Sequence, residues 1–370
     1  MLFLDTSLHV RTFQTVSVVQ YRHGPIGGVR SRLSQHVHTL PAVSTEPLPS
    51  VNTPCLQPAV RRHIACRIHL VPVDRTTDAL SAQKELALRP VDTEETIPLP
   101  VVKRQLQTSD IDLAVGSGSD PGIKRRDRPN EDSILVTHGR CLDNGMLCPG
   151  GLFVVADGMG GYTCGQEAST MAINALSDVV MPAVQHSVES ETFWKELLTD
   201  GVYRANLAVY KRNREQTAFM GTTMVAALVI GTVAYIVNVG DSRAYLYRKS
   251  AGLSQITRDH SVVARLVEEK AIQPDEIYTH PKRNEIYRCL GEHASVHIDS
   301  FTVALQVGDS LLLCSDGLWE MVRDPDIQEI LAGSDAHPLR ARELLIQAAL
   351  DGGGKDNVSV IVVHVAQNAG

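Results

Sequence analysis

The sequence is short of several things, and each shortage excludes something. Its seven cysteines, at 55, 66, 141, 148, 164, 289 and 314, form no C-x-x-C pair, are odd in number and are widely spaced. That argues against a disulfide-stapled scaffold and predicts reduced, unpaired thiols in a cytosolic protein. Aromatic residues make up only 5% of the 370 residues, against 43% hydrophobic and 21% charged, a balance that fits a globular chain of one large domain or two smaller ones and excludes a collagen-like or fully disordered one. There is no basic excess: 42 Asp and Glu stand against 35 Lys and Arg, a net charge of −7. Residues 1–110 hold 12 basic and 9 acidic residues, whereas residues 111–370 hold 23 and 33. An acidic C-terminal region is a poor partner for nucleic acid or an anionic membrane and a reasonable one for cations. The first residues, Met1-Leu-Phe-Leu-Asp5, lack a basic n-region, so no signal peptide is expected. The uncharged run Ala218–Gly240 is long enough to cross a bilayer, but Gly231-Thr232 divides it into two short Val-, Ile- and Thr-rich segments, and no basic cluster flanks it. It is expected to be a hairpin of buried strands.

What is present falls into two regions. Residues 1–107 hold 10 of the 18 prolines and 6 of the 14 histidines and show no sustained helical period. Residues 40–60 and 90–101 have the composition of extended linker, and a short β-like run occupies Thr15–Tyr21. We expect residues 1–107 to be a largely disordered or linker-like extension; its histidines have no ligand spacing. Residues 108–370 are expected to be one folded domain. Apolar runs at Ser133–His138 and Leu152–Ala156 precede a glycine-dense loop, and helical spacing follows over Gln166 to about Gln185 and over Glu191–Arg214. After the hairpin come a strand at Ala244–Tyr247, a short helix at His260–Lys270 and strands at Val296–Leu305 and Ser310–Cys314. A helix at Leu339–Leu350 stops at Gly352-Gly-Gly354, and Val358–Val365 forms a final buried strand. Short hairpin links predict an α+β fold of antiparallel sheets packed face to face with helices outside.

The chemistry gathers in five acidic segments: Asn130-Glu131-Asp132, Asp157-Gly158-Met159-Gly160-Gly161, Gly240-Asp241-Ser242-Arg243, Ser315-Asp316-Gly317 and Lys355-Asp356-Asn357. Most lie where an apolar strand ends or begins (LFVVAD, YIVNVGD, LLLCSD, DNVSVIVV). A single Asp at a strand end is ordinarily a turn residue. Several in one domain can converge, and an oxygen-only set suits hard cations such as Mg²⁺ or Mn²⁺, while the lack of His or Cys at ligand spacing disfavours zinc.

Taken in order, NED, VVADGMGG, the Met220–Thr223 run MGTT, NVGDSRAYLYR, LSQITRDHS, LLCSDGLWE and GGKDNVSVIVV resemble the motifs of the metal-dependent protein phosphatases (the PPM family, protein phosphatase 2C), in particular the bacterial branch. The resemblance covers residues 120–365 nearly end to end. It implies a four-layer αββα sandwich, two antiparallel sheets flanked by helices, and hydrolysis of phosphoserine and phosphothreonine on proteins by direct attack of a metal-bridged hydroxide. It implies two Mn²⁺ or Mg²⁺ ions and a weaker third. Asp157 then corresponds to the carboxylate bridging two metals, with Asp316 and Asp356 completing the first site. Glu131 and the Gly158 carbonyl lie on the side of the second, and Asp241 with Asp316 would hold the third. Asp132 would orient ligands and waters. Asn357 either fixes the Asp356 turn by side-chain hydrogen bonds or makes a plain Asx turn. Phosphorylated proteins are the implied substrates, a Ser/Thr protein kinase the implied partner, and a cytoplasmic monomer the expected form.

Two departures from the family pattern stand out. Where many eukaryotic members place a His proposed as general acid, this chain has Met159, so no general acid is assigned. The usual phosphate-binding arginine position, four residues before the motif Glu, is Asp127; Arg125 and Arg126 are the candidates, with Arg128 nearby, and a solvated basic patch is the competing reading. Thr257–Gly291 corresponds to the flap beside the active site and is either a substrate contact or an ordinary insert. The main alternative to an active enzyme is a catalytically weak regulatory or binding module of the same fold, against which stands retention of Asp157, Asp316 and Asp356. Neither the P-loop form G-x4-G-K-[ST] nor a Cys-x5-Arg loop is present, which disfavours nucleotide hydrolysis and a thiol-based phosphatase.

Overall fold

A computed structural model describes residues 13–19, 107–143, 146–160, 164–186 and 190–368. The linker-like stretches 40–60 and 90–101, the six histidines of the extension, Cys55 and Cys66 lie outside the described residues. One sheet is ordered β1 (Phe13–Val19), β4 (Asp132–Asp143), β5 (Met146–Met159), β7 (Met224–Ile230), β8 (Val233–Val239) and β11 (Asp299–Ala304), with the two-residue strands β2 (Gln107–Thr108) and β6 (Gly221–Thr222) also paired to β5. The second is ordered β10 (Gly252–Gln255), β9 (Arg243–Arg248), β12 (Ser310–Cys314), β13 (Val358–Gln367) and β3 (Ile111–Asp120). Every pairing is antiparallel except that of β2 with β5.

The expected hairpin is β7–β8, turning at Gly231 with φ 59°, a left-handed conformation open to glycine without cost. Helices α1 (Cys164–His186) and α2 (Glu191–Glu215) match the two helical periods. They cover the outer face of the first sheet: Leu176, Val180, Leu198 and Val202 pack with Val154, Leu228 and Val237. Between the sheets Phe153, Val155, Val225 and Ile236 meet Leu311, Leu313, Ile361 and Val363. On the far side α4 (Asp316–Trp319), α5 (Asp324–Gly333) and α6 (Pro338–Asp351) pack Leu318, Ile327 and Leu345 onto Leu312, Val360 and Val362. The strands alternate between two buried faces, so they read as nearly continuous apolar runs. Four layers result, as expected. Among the described residues no helix is long and apolar enough to cross a membrane.

Some elements were not legible. β3 carries the weak pattern IDLAVGSGSD because Gly116 and Gly118 lie under α6: a Cβ on Gly116 would overlap the Pro338 carbonyl, and one on Gly118 would press on the Arg342 side chain. The short α4 and the ten-residue α5 were not expected either, and α3 (Val262–Glu268) is shorter than its predicted range. β11 begins at Asp299 rather than Val296. Phe13–Val19, overlapping the β-like run of the extension, pairs along the outer edge of β4 from Val19↔Ile134 to Phe13↔Gly139.

Register sets where the acidic turns fall. Asp132 opens β4 and stands directly opposite Asp157 on β5. Because Cys314, the last residue of β12, stands opposite both Arg243 on β9 and Val360 on β13, the turns before β9, after β12 and before β13 emerge at one end of the second sheet. Asp241 and Asp356 lie in two of those turns, and Asp316 opens α4 directly after the third.

Candidate active site

The carboxylates of Asp132, Asp157, Asp241, Asp316 and Asp356 sense one another across this end of the sandwich. Burial, then the neighbouring carboxylates Asp132, Asp316, Asp356 and Asp241, hold the Asp157 carboxyl well above the usual carboxylate range. Asp316 is raised for the same reasons, burial first and then Asp241 and Asp356. Burial pushes Asp132 up to about 6, against hydrogen bonds from Ser315 and Ser359, and Asp241 up to about 7, with Asp259 adding to the rise. Such clustering of like charge destabilises the folded state unless something positive enters.

Hydroxyl and amide groups build the scaffold. Ser315 Oγ donates to Asp132 Oδ2 (2.7 Å) and accepts from Ser359 N (3.0 Å). Thr223 Oγ1 accepts from Asp157 N (3.0 Å), while Thr222 Oγ1 and Thr223 N both donate to the Asp157 carbonyl (each 2.8 Å). Asn357 is fully enclosed: its Oδ1 accepts from Glu131 N (2.8 Å) and its Nδ2 donates to the Pro121 carbonyl (3.0 Å). Its side chain therefore ties the Asp356 turn to the Glu131 loop rather than closing its own turn. Gly317 is required by close approach, since a Cβ there would overlap the Asn357 carbonyl.

Asp241 is held from behind. Trp319 Nε1 donates to its carbonyl (3.0 Å), and the Arg243 guanidinium stacks 3.8 Å over the Trp319 ring. Arg243 is itself buried and forks onto Asp259 (2.6–3.1 Å). His260 Nδ1 accepts from Gly240 N (3.0 Å), with Arg288 and Asp299 on its other side. The MGTT run and LSQITRDHS segment were recognised as motifs, but these holding roles follow from three-dimensional packing. Glu320, one turn after Asp316 and raised by burial, faces the same cluster and was not singled out.

Of the arginine candidates, Arg125 enters the site. Its Nη1 pairs with Asp356 and its Nη2 with Glu131. Arg126 and Arg128 are exposed on the same loop. Glu131 and Asp241 are buried, while Asp157, Asp316 and Asp356 retain access to solvent. Among the described residues no three His, Cys, Asp or Glu side chains are placed closely enough to enclose an ion as they stand, and the Arg125 guanidinium lies between two of the carboxylates. The donor set nevertheless fits a hard dication. It consists of carboxylate oxygens, and buried oxygens on Glu131 (Oε1), Asp132 (Oδ1) and Asp316 (Oδ1) have no hydrogen-bond partner. Buried unpaired acceptors of this kind are costly without a cation.

The profile of the family described as Protein phosphatase 2C matches residues 122–351. This chain belongs to the protein phosphatase 2C family. The serine/threonine phosphatase stp of Listeria monocytogenes is 37% identical over 215 residues, covering 58% of this chain and 84% of that protein. The crystal structure of the Mycobacterium tuberculosis serine/threonine phosphatase PstP/Ppp superposes with a TM-score of 0.58 at 34% identity, over 69% of this chain and 99% of that one. The catalytic domain of PstP in complex with two manganese ions gives a TM-score of 0.57 at 33% identity, over 69% and 99%. The matched residues 122–351 carry Glu131, Asp132, Asp157, Asp241 and Asp316, while Asp356 and the strands β3 and β13 lie just outside them.

Proposed function

We propose that the acidic end of the sandwich is a dinuclear site that hydrolyses phosphoserine and phosphothreonine on proteins. The chain is a metal-dependent serine/threonine protein phosphatase, using Mn²⁺ or Mg²⁺, and the observation that carries this reading is the convergence of Asp157 near the end of β5, Asp316 at the start of α4 and Asp356 in the turn before β13, in a chain of the matched family. Asp157 would stand between two ions, with Asp316 and Asp356 on one side, Glu131 and the Gly158 carbonyl on the other, and Asp241 with Asp316 available to a third. The bound ions would supply Lewis-acid activation of water and compensation of phosphoryl charge.

The chain's own residues do the positioning. Ser315 and Asn130 hold Asp132, with Asn130 Oδ1 accepting from Asp132 N (3.0 Å), which leaves Asp132 Oδ1 buried and without a hydrogen-bond partner. Thr222 and Thr223 fix the backbone of Asp157. Arg125 is the better candidate for binding the phosphoryl oxygens, because a guanidinium fork suits them and it reaches Glu131 and Asp356. Arg125→Ala is expected to raise KM for p-nitrophenyl phosphate and Arg126→Ala to leave it near the parent value. Nothing in the site favours a non-catalytic module, since none of the acidic ligand candidates has been lost.

A cytoplasmic monomer acting opposite a Ser/Thr protein kinase is the setting we propose; the serine/threonine phosphatase relatives support phosphorylated proteins as its substrates. Phosphate release from phosphothreonine and phosphotyrosine peptides, with and without chelator, tests the activity. Mn²⁺-dependent release from the phosphothreonine peptide supports it, and release that chelation leaves unchanged defeats it.

A further inference from the structure

At the opposite end of the β4–β5 hairpin from Asp132 and Asp157, Cys141 and Cys148 stand directly across from each other. Their sulfurs are 3.5 Å apart, and both side chains are buried. Directly opposed residues of an antiparallel pair have Cα atoms about 4.5–5.5 Å apart. That falls inside the roughly 4.4–6.8 Å over which a disulfide closes without backbone movement. The pair thus meets the spacing that a disulfide needs.

The two thiols share a hydrogen bond in which either can be the donor. The Cys141 thiol beside it, helped by the Gly231 N–H and the nearby Arg140 guanidinium, holds the Cys148 thiol below its usual range, against burial and Asp143. The same contact, and then burial, push Cys141 up. The two thiols are in hydrogen-bond contact, so a thiolate on one sulfur has the other thiol beside it, the arrangement of an attacking and a resolving cysteine. Cys164 is partly exposed, and Cys289 and Cys314 are buried.

We propose that Cys141 and Cys148 form a redox-active dithiol, converted by a hydroperoxide to an intramolecular disulfide and restored by a thiol reductant. The Cys148 thiolate attacks the terminal peroxide oxygen, the O–O bond breaks, and an alcohol or water leaves with a sulfenic acid on Cys148. The Cys141 sulfur then attacks Cys148, the S–S bond forms, and the sulfenic oxygen leaves as water carrying the Cys141 proton. Two thiols and one peroxide give one disulfide, one alcohol (or water) and one water. The bond would clamp the hairpin tip onto which the chain enters the domain: Gln107 and Thr108 pair with Met146 and Leu147, and Arg140 Nη2 donates to the carbonyls of Ser109 and Leu147 (both 3.1 Å).

The test uses the full-length protein. It is treated with hydrogen peroxide, unfolded in iodoacetamide and cleaved before aspartate, which places Cys141, Cys148 and Cys164 on separate peptides beginning at Asp132, Asp143 and Asp157. The expected product is the first two peptides joined, two hydrogens lighter than their sum, lost on treatment with dithiothreitol and absent in Cys148→Ser. The wild-type map decides alone if that variant fails to fold. Recovery of both cysteines as alkylated thiols, as separate sulfinic or sulfonic acids, or joined to Cys164 would overturn the proposal.

Discussion

Asn357→Ala is the sharpest test of how the site is held. The side chain is 2% exposed and makes two buried hydrogen bonds, accepting from Glu131 N and donating to the Pro121 carbonyl. Alanine leaves both main-chain groups without a partner, at about 1–3 kcal/mol each. The Asp356 side chain beside them is 43% exposed, so water can re-solvate part of the gap. A net loss of roughly 2–4 kcal/mol follows, or a fall in melting temperature of about 5–15 °C for a domain of this size. Urea unfolding in the presence of chelator reads this without any contribution from bound ions. A loss below about 0.5 kcal/mol for the alanine variant, the range of an ordinary surface change, would refute the tie between the Asp356 turn and the Glu131 loop.

Three further outcomes follow from the same packing. Arg243→Ala strands the buried Asp259 carboxylate and removes the stack on Trp319, which should cost about 3–5 kcal/mol in denaturant unfolding; Arg243→Lys restores the charge without the fork and should recover only part. Gly317→Ala must displace the Asn357 carbonyl and with it the Asp356 turn, so kcat should fall by roughly 100-fold while the helical circular dichroism is kept. His364, on β13 with Ser310 Oγ at 3.0 Å, has its pKa lowered by burial. The unfolded chain then takes up a proton that the fold resists, so this contribution is present in full above pH about 6.5 and declines as pH falls through that value toward the lower folded pKa. Midpoints from urea unfolding between pH 5 and 8 (an illustrative span of about 3 units) should show a smaller acid loss for His364→Gln.

Much of this was legible because the fold repeats one device. An apolar strand buried on both faces ends in Asp, and LFVVAD, YIVNVGD and LLLCSD announce both the strand and the ligand candidate. The hairpin broken at Gly231-Thr232 and the helices over α1, α2 and α6 were legible from period and punctuation. β3 was hidden because the closeness of α6 demands glycine at 116 and 118, which strips the strand of the apolar residues that would mark it. α4 and α5 are too short to show a period. The arginine could not be chosen from sequence because Arg125 and Arg126 are adjacent, and only the loop's path turns one toward Glu131 and Asp356. The reach of Asn357 to Pro121, 236 residues away, has no local signature.

The central claim is that the converging carboxylates bind the dications on which phosphoprotein hydrolysis depends. The most direct measurement titrates metal-free wild-type and Asp157→Asn protein with Mn²⁺, following bound metal by equilibrium dialysis and phosphate release from a phosphothreonine peptide in the same samples. The account predicts that wild type binds at least two ions, with activity appearing as they bind. For Asp157→Asn it predicts a lost ion and a fall in activity of more than about 100-fold, beyond what an outer-shell partner gives. An Asp157→Asn protein that binds the same number of ions with equal activity, or a wild type fully active without metal, would contradict it.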